Sequence, residues 1–350
     1  MCPIVSIAII SVFENLLLQH YRTRRSYSRA GSAADLRAGR CRFSRILQDL
    51  VSFVTKISTV LQEQPPTWRW SITMTMGSAV IEAGDYVLGR SITDSVRNDA
   101  EHLLWKFHKG YELHPAIPVS DKMRIADLGC GTGIWLLDLA RQLPPTVQLH
   151  GFDVCDKQYP AQPRWPQNMT LSVIDMMADL PPSIVGQYDV VHLRMWVNNV
   201  RDEETATLIG QAKRLLKPGG YIQWEEADLD NQVTEGLVAE KTAARMSDLM
   251  RRVNLNYSWV SELPERLRKE NLEVVESDSG RFAPHLVDLC TRNYILTLRE
   301  LTQGIKKGLS ADMLLAVSEQ EVALQCLATQ QKEKIVYNWS PVTVLAQHRV

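Results

Sequence analysis

Apolar and polar positions along the chain follow two periods that exchange places repeatedly from about residue 90 onward. Residues 91–113 place Val96, Leu103, Leu104, Trp105 and Phe107 at helical spacing, with Thr93 or Asp94 as the cap and His114-Pro115 as the stop. A short apolar strand pattern follows over 123–128, then a helix over 133–142, and a strand over 147–152 that closes on Asp153. A proline-rich loop at 159–166 leads to a strand over 169–174 ending at Asp175. Next come a strand over 188–193, a helix over 203–216, the turn Lys217-Pro218-Gly219-Gly220 and a strand over 221–225. Beyond Glu226 the pattern turns mostly helical, over 237–253, 285–305 and 311–330, with strands predicted over 272–276 and 341–347. Strands that alternate with helices build a parallel sheet covered on both faces.

The first 73 residues do not share this rhythm. Their apolar run, 4–13 and then 16–18, is too short to span a bilayer and is broken by Glu14, and it lacks the basic start of a secretory signal. Residues 22–45 are rich in Arg, Ser, Ala and Gly, a composition that fits either a mitochondrial transit segment or an upstream extension outside the fold. One amphipathic helix is predicted over 43–61. The expected organisation is therefore an N-terminal extension over 1–73, disordered or partly helical, and a folded domain over 74–350 with a helical insertion at about 237–330. Met74 and Met76 stand at the boundary.

Charge sharpens that division. The 350 residues carry a net charge of −1, but residues 1–73 hold a net +6 and the remainder a net −7. No basic patch marks the folded part, so a nucleic-acid partner is not expected, nor is stable membrane insertion. The six cysteines are scattered without C-x-x-C spacing, which fits a reducing, cytoplasmic setting and argues against a zinc site. His102, His108 and His114 recur every six residues, which spreads them around their helix rather than gathering them on a metal; no metal is expected.

The chemistry lies in IADLGCGTGIW, residues 125–135. Asp127 near the strand end precedes Gly129, Gly131 and Gly133, a spacing one residue tighter than the G-x-G-x-x-G that cradles a dinucleotide pyrophosphate at a helix N-terminus. That loop suits a ligand with an amino-acid tail and a ribose at this point, as S-adenosylmethionine has. Ligands of open α/β sheets lie beyond the carboxyl ends of the strands, where Asp127, Asp153 and Asp175 all fall. Asp127 suits the ammonium of the tail. Asp153 offers paired acceptors for two ribose hydroxyls, and Asp175 an acceptor for the adenine amino group, with Met176 against the ring. Cys130 completes the loop. The cofactor-binding expectation is therefore Asp127, Gly129, Cys130, Gly131, Gly133, Asp153, Asp175 and Met176.

This constellation resembles the class I S-adenosylmethionine-dependent methyltransferases. YVLGRS (86–91), LHP-x-I (113–117), the proline-rich loop, YDVVHLR (188–194) and LKPGGYIQWEE (216–226) look more narrowly like the fungal methyltransferases of secondary metabolism. That group includes enzymes similar to the gliotoxin-pathway N-methyltransferase and the LaeA-like regulators. The resemblance implies a Rossmann-like sheet of seven strands, mostly parallel with strand seven antiparallel, and variable helices forming a substrate lid. It implies methyl transfer to an O or N atom of a small molecule. The alternative it carries is a regulator of secondary metabolism that works through protein partners. The family's N-terminal helix often carries Glu-x-x-Arg-Leu; here the residues are Asp94-Ser95-Val96-Arg97-Asn98.

A sulfonium methyl is already activated, so orientation supplies much of the rate, and a general base is needed only for a protonated acceptor. His192, Glu225 and Glu226 are the strand-end candidates for that base, and none stands out; alternation turns His192 toward the covering helices. Strand four ends HLRMWVNN, without the Asn/Asp-Pro-Pro-aromatic element of enzymes that methylate nucleic-acid bases. Trp196, Trp224, Tyr257, Trp259, Phe282 and His285 are the aromatic candidates for an acceptor pocket.

Overall fold

The computed structural model describes residues 88–252, 254–304, 317–318 and 335–349. The chain divides into two units, Met1–Thr75 and Met76–Val350, and every described residue lies in the second. The expectations for residues 1–73 and for most of the helix at 311–330 fall outside the described residues.

Seven strands form one sheet in the order β3-β2-β1-β4-β5-β7-β6. They are β1 (Arg124–Leu128), β2 (Gln148–Asp153), β3 (Met169–Val173), β4 (Tyr188–Arg194), β5 (Leu216–Glu235), β6 (Glu273–Ser279) and β7 (Val336–Gln347). Strands β1 to β5 pair in parallel, and β7 runs antiparallel between β5 and β6. The expected Rossmann-like methyltransferase sheet is the observed one. The chain reverses direction of travel across the sheet between β1 and β4, which opens a crevice beyond their carboxyl ends.

The helices are α1 (Ile92–Lys109), α2 (Ile134–Leu139), α3 (Thr205–Leu215), α4 (Leu237–Arg252), α5 (Leu263–Lys269) and α6 (Val287–Gly304). Helix α1 begins at a capping box in which Ser91 Oγ accepts from the Asp94 amide and the Asp94 carboxylate accepts from the Ser91 amide. The cap is thus Ser91, with Asp94 as its reciprocal partner. The helix stops before His114-Pro115, at Gly110, whose φ of 75° supplies the left-handed turn and returns its N–H to the Lys106 carbonyl.

Alternation along the strands sorts the core onto two faces. Ile125, Leu149, Leu171 and Val190 pack with Trp135, Leu136 and Leu139 of α2. Ala126, Leu128, Val191, Leu193, Ile222 and Trp224 face the larger cluster, built with residues of α3, α4, α5 and α6. Asp127 and His192 share the parity of Ile125 and Val190, so the period of two turns both toward α2.

Strand β5 departs most from the sequence expectation. It does not stop at Glu225 but continues to Glu235, with Glu225, Glu226 and Asp228 all buried. Acidic residues read as a strand end because buried carboxylates are costly. Here each finds partners: Glu226 alone accepts from the amides of Trp196, Val197 and Ala227 and from Trp224 Nε1. β7 likewise starts earlier than expected and pairs along most of β5. No described helix is long and apolar enough to cross a membrane.

Candidate functional site

One cavity of about 1110 Å³ opens beyond the carboxyl ends of β1, β2 and β4. The glycine loop forms its floor. Gly129, Gly131 and Gly133 all hold positive φ, at 69°, 52° and 72°, a conformation other residues adopt only at a cost. A Cβ on Gly129 would lie 3.1 Å from the Trp196 ring. Gly133 is the residue that caps α2, and the amides of Gly129 and Cys130 both donate to the Phe152 carbonyl, so the loop is laced to the end of β2.

The sequence-predicted residues gather here. Asp127, Gly129, Cys130, Gly131, Asp153, Asp175 and Met176 line the cavity; Gly133 supports the loop from behind, against Met169 and Leu171. Asp153 accepts from the Gly131 amide through Oδ2 at 3.0 Å and from the Cys155 amide through Oδ1 at 3.2 Å. Each carboxylate oxygen keeps a second lone pair for a ligand. Burial raises the Asp153 carboxyl above its ordinary range, against the pull of those two amides. Asp175 is exposed and spends Oδ1 on the Met177 amide at 2.8 Å. Asp127 is 4% exposed, and its Oδ1 lies 2.7 Å from His192 Nδ1.

The three candidate bases separate. His192 lines the cavity, but both ring nitrogens face carboxylates: Nδ1 toward Asp127 and Nε2 toward Glu225 Oε2 at 3.4 Å. Its ring lies flat on Trp135, with centroids 3.7 Å apart. Glu225 and Glu226 do not line the cavity; the first is held by His192, Arg194 and Gln223, the second by the loop after β4. Burial alone would raise the Glu225 carboxyl, but the His192 hydrogen bond and charge, with Arg194, bring it down to about 2.

The aromatic candidates also divide. Trp196 lines the cavity and donates through Nε1 to the Leu128 carbonyl. Trp224, Trp259, Tyr257 and Phe282 are buried in the core, and His285 is exposed away from the cavity. Polar residues also line it: Asn98 and Glu101 from α1, Arg194 at the end of β4, Asn198 just after it, and Thr297 from α6. Asn198 is 4% exposed and accepts through Oδ1 from Tyr257 Oη; its Nδ2 makes no hydrogen bond among the described residues. Helix α1 is pinned by Arg97, which pairs with Glu101 at 3.1 Å and with Glu300 of α6. The sequence signal for these residues was the i, i+4 charge pair Arg97 and Glu101 inside an amphipathic helix.

His102, Glu112 and Asp138 bring ligand atoms within 4.8 Å of one another, a grouping that spacing along α1 did not reveal. The Lys106 ammonium pairs with Asp138 and lies 3.7 Å from Glu112. Burial, with the Arg194 charge, lowers His102 to about 4.

Residues 125–220 match the model of a family described as "Methyltransferase domain". That segment runs from β1 through the glycine loop to the turn before the body of β5. Over these residues the chain is similar to a methyltransferase domain. The domain is 35% identical over 147 residues to the methyltransferase grgD of a Penicillium species, covering 40% of this chain and 50% of that protein. It is 34% identical over 102 residues to the N-methyltransferase verN of Clonostachys rogersoniana, covering 29% and 36%. A match at 33% over 105 residues to the secondary metabolism regulator laeA of Coprinopsis cinerea covers 30% and 25%. The chain thus spans half or less of the length of these relatives, and the domain resembles fungal secondary-metabolite methyltransferases.

The cavity fits the cofactor of that family. Three strand-end carboxylates with unspent lone pairs border the glycine loop.

Proposed function

We propose that this protein transfers a methyl group from S-adenosylmethionine to a nitrogen or oxygen of a small molecule in secondary metabolism. The observation that carries the reading is the convergence of Asp127, Asp153 and Asp175 on one cavity with the glycine loop. Asp127 takes the tail ammonium, Asp153 the ribose hydroxyls and Asp175 the adenine amino group, with Met176 beneath the ring. The relatives named as N-methyltransferases favour nitrogen as the acceptor atom.

When bound, the cofactor supplies a methyl already activated by its sulfonium. The protein's part is then to orient and enclose. Trp196 is held over Gly129 by its bond to the Leu128 carbonyl and by Glu226, which fixes the backbone at Trp196 and Val197. Asn198 Nδ2 offers a donor to an acceptor carbonyl or hydroxyl. Glu101, 8% exposed, accepts from Arg97 through Oε2, and its Oε1 has no partner among the described residues, which suits it to receive an acceptor N–H or O–H. A small-molecule partner and a cytoplasmic location complete the reading, with the free thiols of Cys130, Cys155 and Cys290 in support.

The test is incubation with S-adenosylmethionine labelled in its methyl group and metabolite extracts of a producing fungus. Label in an extractable small molecule, lost in Asp153→Ala, supports the reading; cofactor binding without transfer to any small molecule overturns it. The similarity to laeA favours a second reading, a regulator acting through protein partners. A stable partner recovered from cell extract, together with the absence of transfer, would select that one.

A further inference from the structure

Asp127, His192 and Glu225 lie side by side on the α2 face of the sheet, on the neighbouring strands β1, β4 and β5. Asp127 is directly opposite His192 in the β1–β4 register, and Glu225 is opposite Arg194 in the next. All three are buried: Asp127 is 4% exposed, His192 1% and Glu225 2%. A neutral imidazole between two carboxylates would set one ring nitrogen's lone pair against an oxygen's. The arrangement is satisfied when the ring carries both protons and donates both ways. The groups that face the ring agree. Asp127 comes from β1, Glu225 from β5 and the Trp135 indole from α2, and Arg194 lies beyond Glu225 at 3.5 Å. An indole stacked on a cationic ring is a favourable contact. Burial alone would lower the His192 pKa; the charge and hydrogen bond of Asp127 raise it above the usual histidine range.

This leaves Asp127 with one oxygen engaged. Oδ1 is held by His192, and Oδ2 has no partner among the described residues, although the carboxylate is almost wholly buried and lines the cavity. We propose that His192, clamped between Asp127 and Glu225 under Trp135, is a positioning residue that holds the Asp127 carboxylate so that Oδ2 receives the ammonium of the cofactor's amino-acid tail. The proposal rests on the cofactor reading above and adds the means by which the site selects ligands that carry that tail. His192 is therefore not the base: it makes no contact that would let it take a proton from an acceptor, and both its nitrogens are spent.

Two ligands isolate the claim. S-adenosylhomocysteine carries the tail ammonium, and 5′-methylthioadenosine keeps the adenine and ribose without it. Both are titrated by calorimetry into the full chain, as wild type, His192→Leu and His192→Asn. Leu removes both donors; Asn keeps an N–H where Nδ1 stood. The expected result is a loss of about 10- to 100-fold in S-adenosylhomocysteine affinity in His192→Leu, with 5′-methylthioadenosine changed less than about threefold. His192→Asn recovers most of the loss. Should His192→Leu not fold, with two carboxylates left unpaired, His192→Asn and His192→Gln decide. Asn should bind S-adenosylhomocysteine better than Gln, which reaches toward Glu225 instead. Equal losses for both ligands would mark His192 as structural, and unchanged affinity for S-adenosylhomocysteine would remove it from the site; either overturns the proposal alone. A wild-type protein that binds neither ligand overturns the cofactor reading and the proposal with it.

Discussion

Thr132 Oγ1 donates to Asp99 Oδ1 at 2.7 Å, tying the glycine loop to a helix 33 residues earlier in the chain. Helix α1 therefore roofs the cofactor end of the cavity rather than standing apart from the sheet. Removing one partner of a half-buried hydrogen bond costs about 1 kcal/mol. Asp99→Ala is expected to lower the melting temperature by a few degrees and to weaken S-adenosylhomocysteine binding about 3- to 10-fold. Thermal melts with and without the ligand check both effects.

Gly129 is the loop glycine most sensitive to substitution. Its φ of 69° is strained for any L side chain, and the added Cβ would press on the Trp196 ring at 3.1 Å. Gly129→Ala should cost about 1–3 kcal/mol by denaturant unfolding. Because Trp196 must shift away from the cavity wall, its fluorescence should change as well. An Ala variant with unchanged stability and spectrum would contradict this geometry.

Glu112 gives a pH dependence with a definite sign. It is 3% exposed, its Oε1 accepts no hydrogen bond, and burial raises its carboxyl from 4.5 to about 7. The folded state therefore holds the proton more tightly than the unfolded chain does, and stability falls as pH climbs from 4.5 to 7. Glu112→Gln removes that slope. Above pH 7 the variant should be more stable than wild type, by on the order of 2 kcal/mol. At pH 4.5 the two should be within experimental error of each other. Melting curves across that range make the comparison.

The domain boundary is a separate expectation. A chain starting at Met76 should fold and show the same ligand-induced rise in melting temperature as the full chain, since the described residues that line the cavity, from Leu88 onward, all lie after that start. Aggregation of the shortened chain, or loss of the shift, would assign the N-terminal residues to the fold.

Much of the sheet was legible because the short apolar strand runs from β1 to β4 are separated by clear helix or loop breaks, and the three aspartates mark strand ends. The length of β5 was not, because Glu225, Glu226 and Asp228 look like a strand terminus until their partners are seen. Those partners, such as the Trp196 and Val197 amides on Glu226, come from elsewhere in the chain. The pairing of Arg97 with Glu300, 203 residues apart, has no local signal at all. The polar part of the cavity lining was hidden for a similar reason. Aromatic residues in the variable region suggested a pocket lining, yet Trp224, Trp259 and Phe282 are large apolar bodies that the core takes first. The Asp127–His192–Glu225 row follows the period of two, but only the register of β1, β4 and β5 sets the three side by side.

Whether three strand-end carboxylates hold S-adenosylmethionine over the glycine loop is decided by calorimetric titration of S-adenosylhomocysteine into the wild type and Asp153→Ala. Asp153 offers both oxygens to the ribose while holding the Gly131 and Cys155 amides. The predicted result is one-site binding to the wild type and a loss of about 1.5–3 kcal/mol in the variant per charge-assisted bond removed, with the fold retained by circular dichroism. Equal affinity in the two proteins, or no binding to the wild type, would contradict the account.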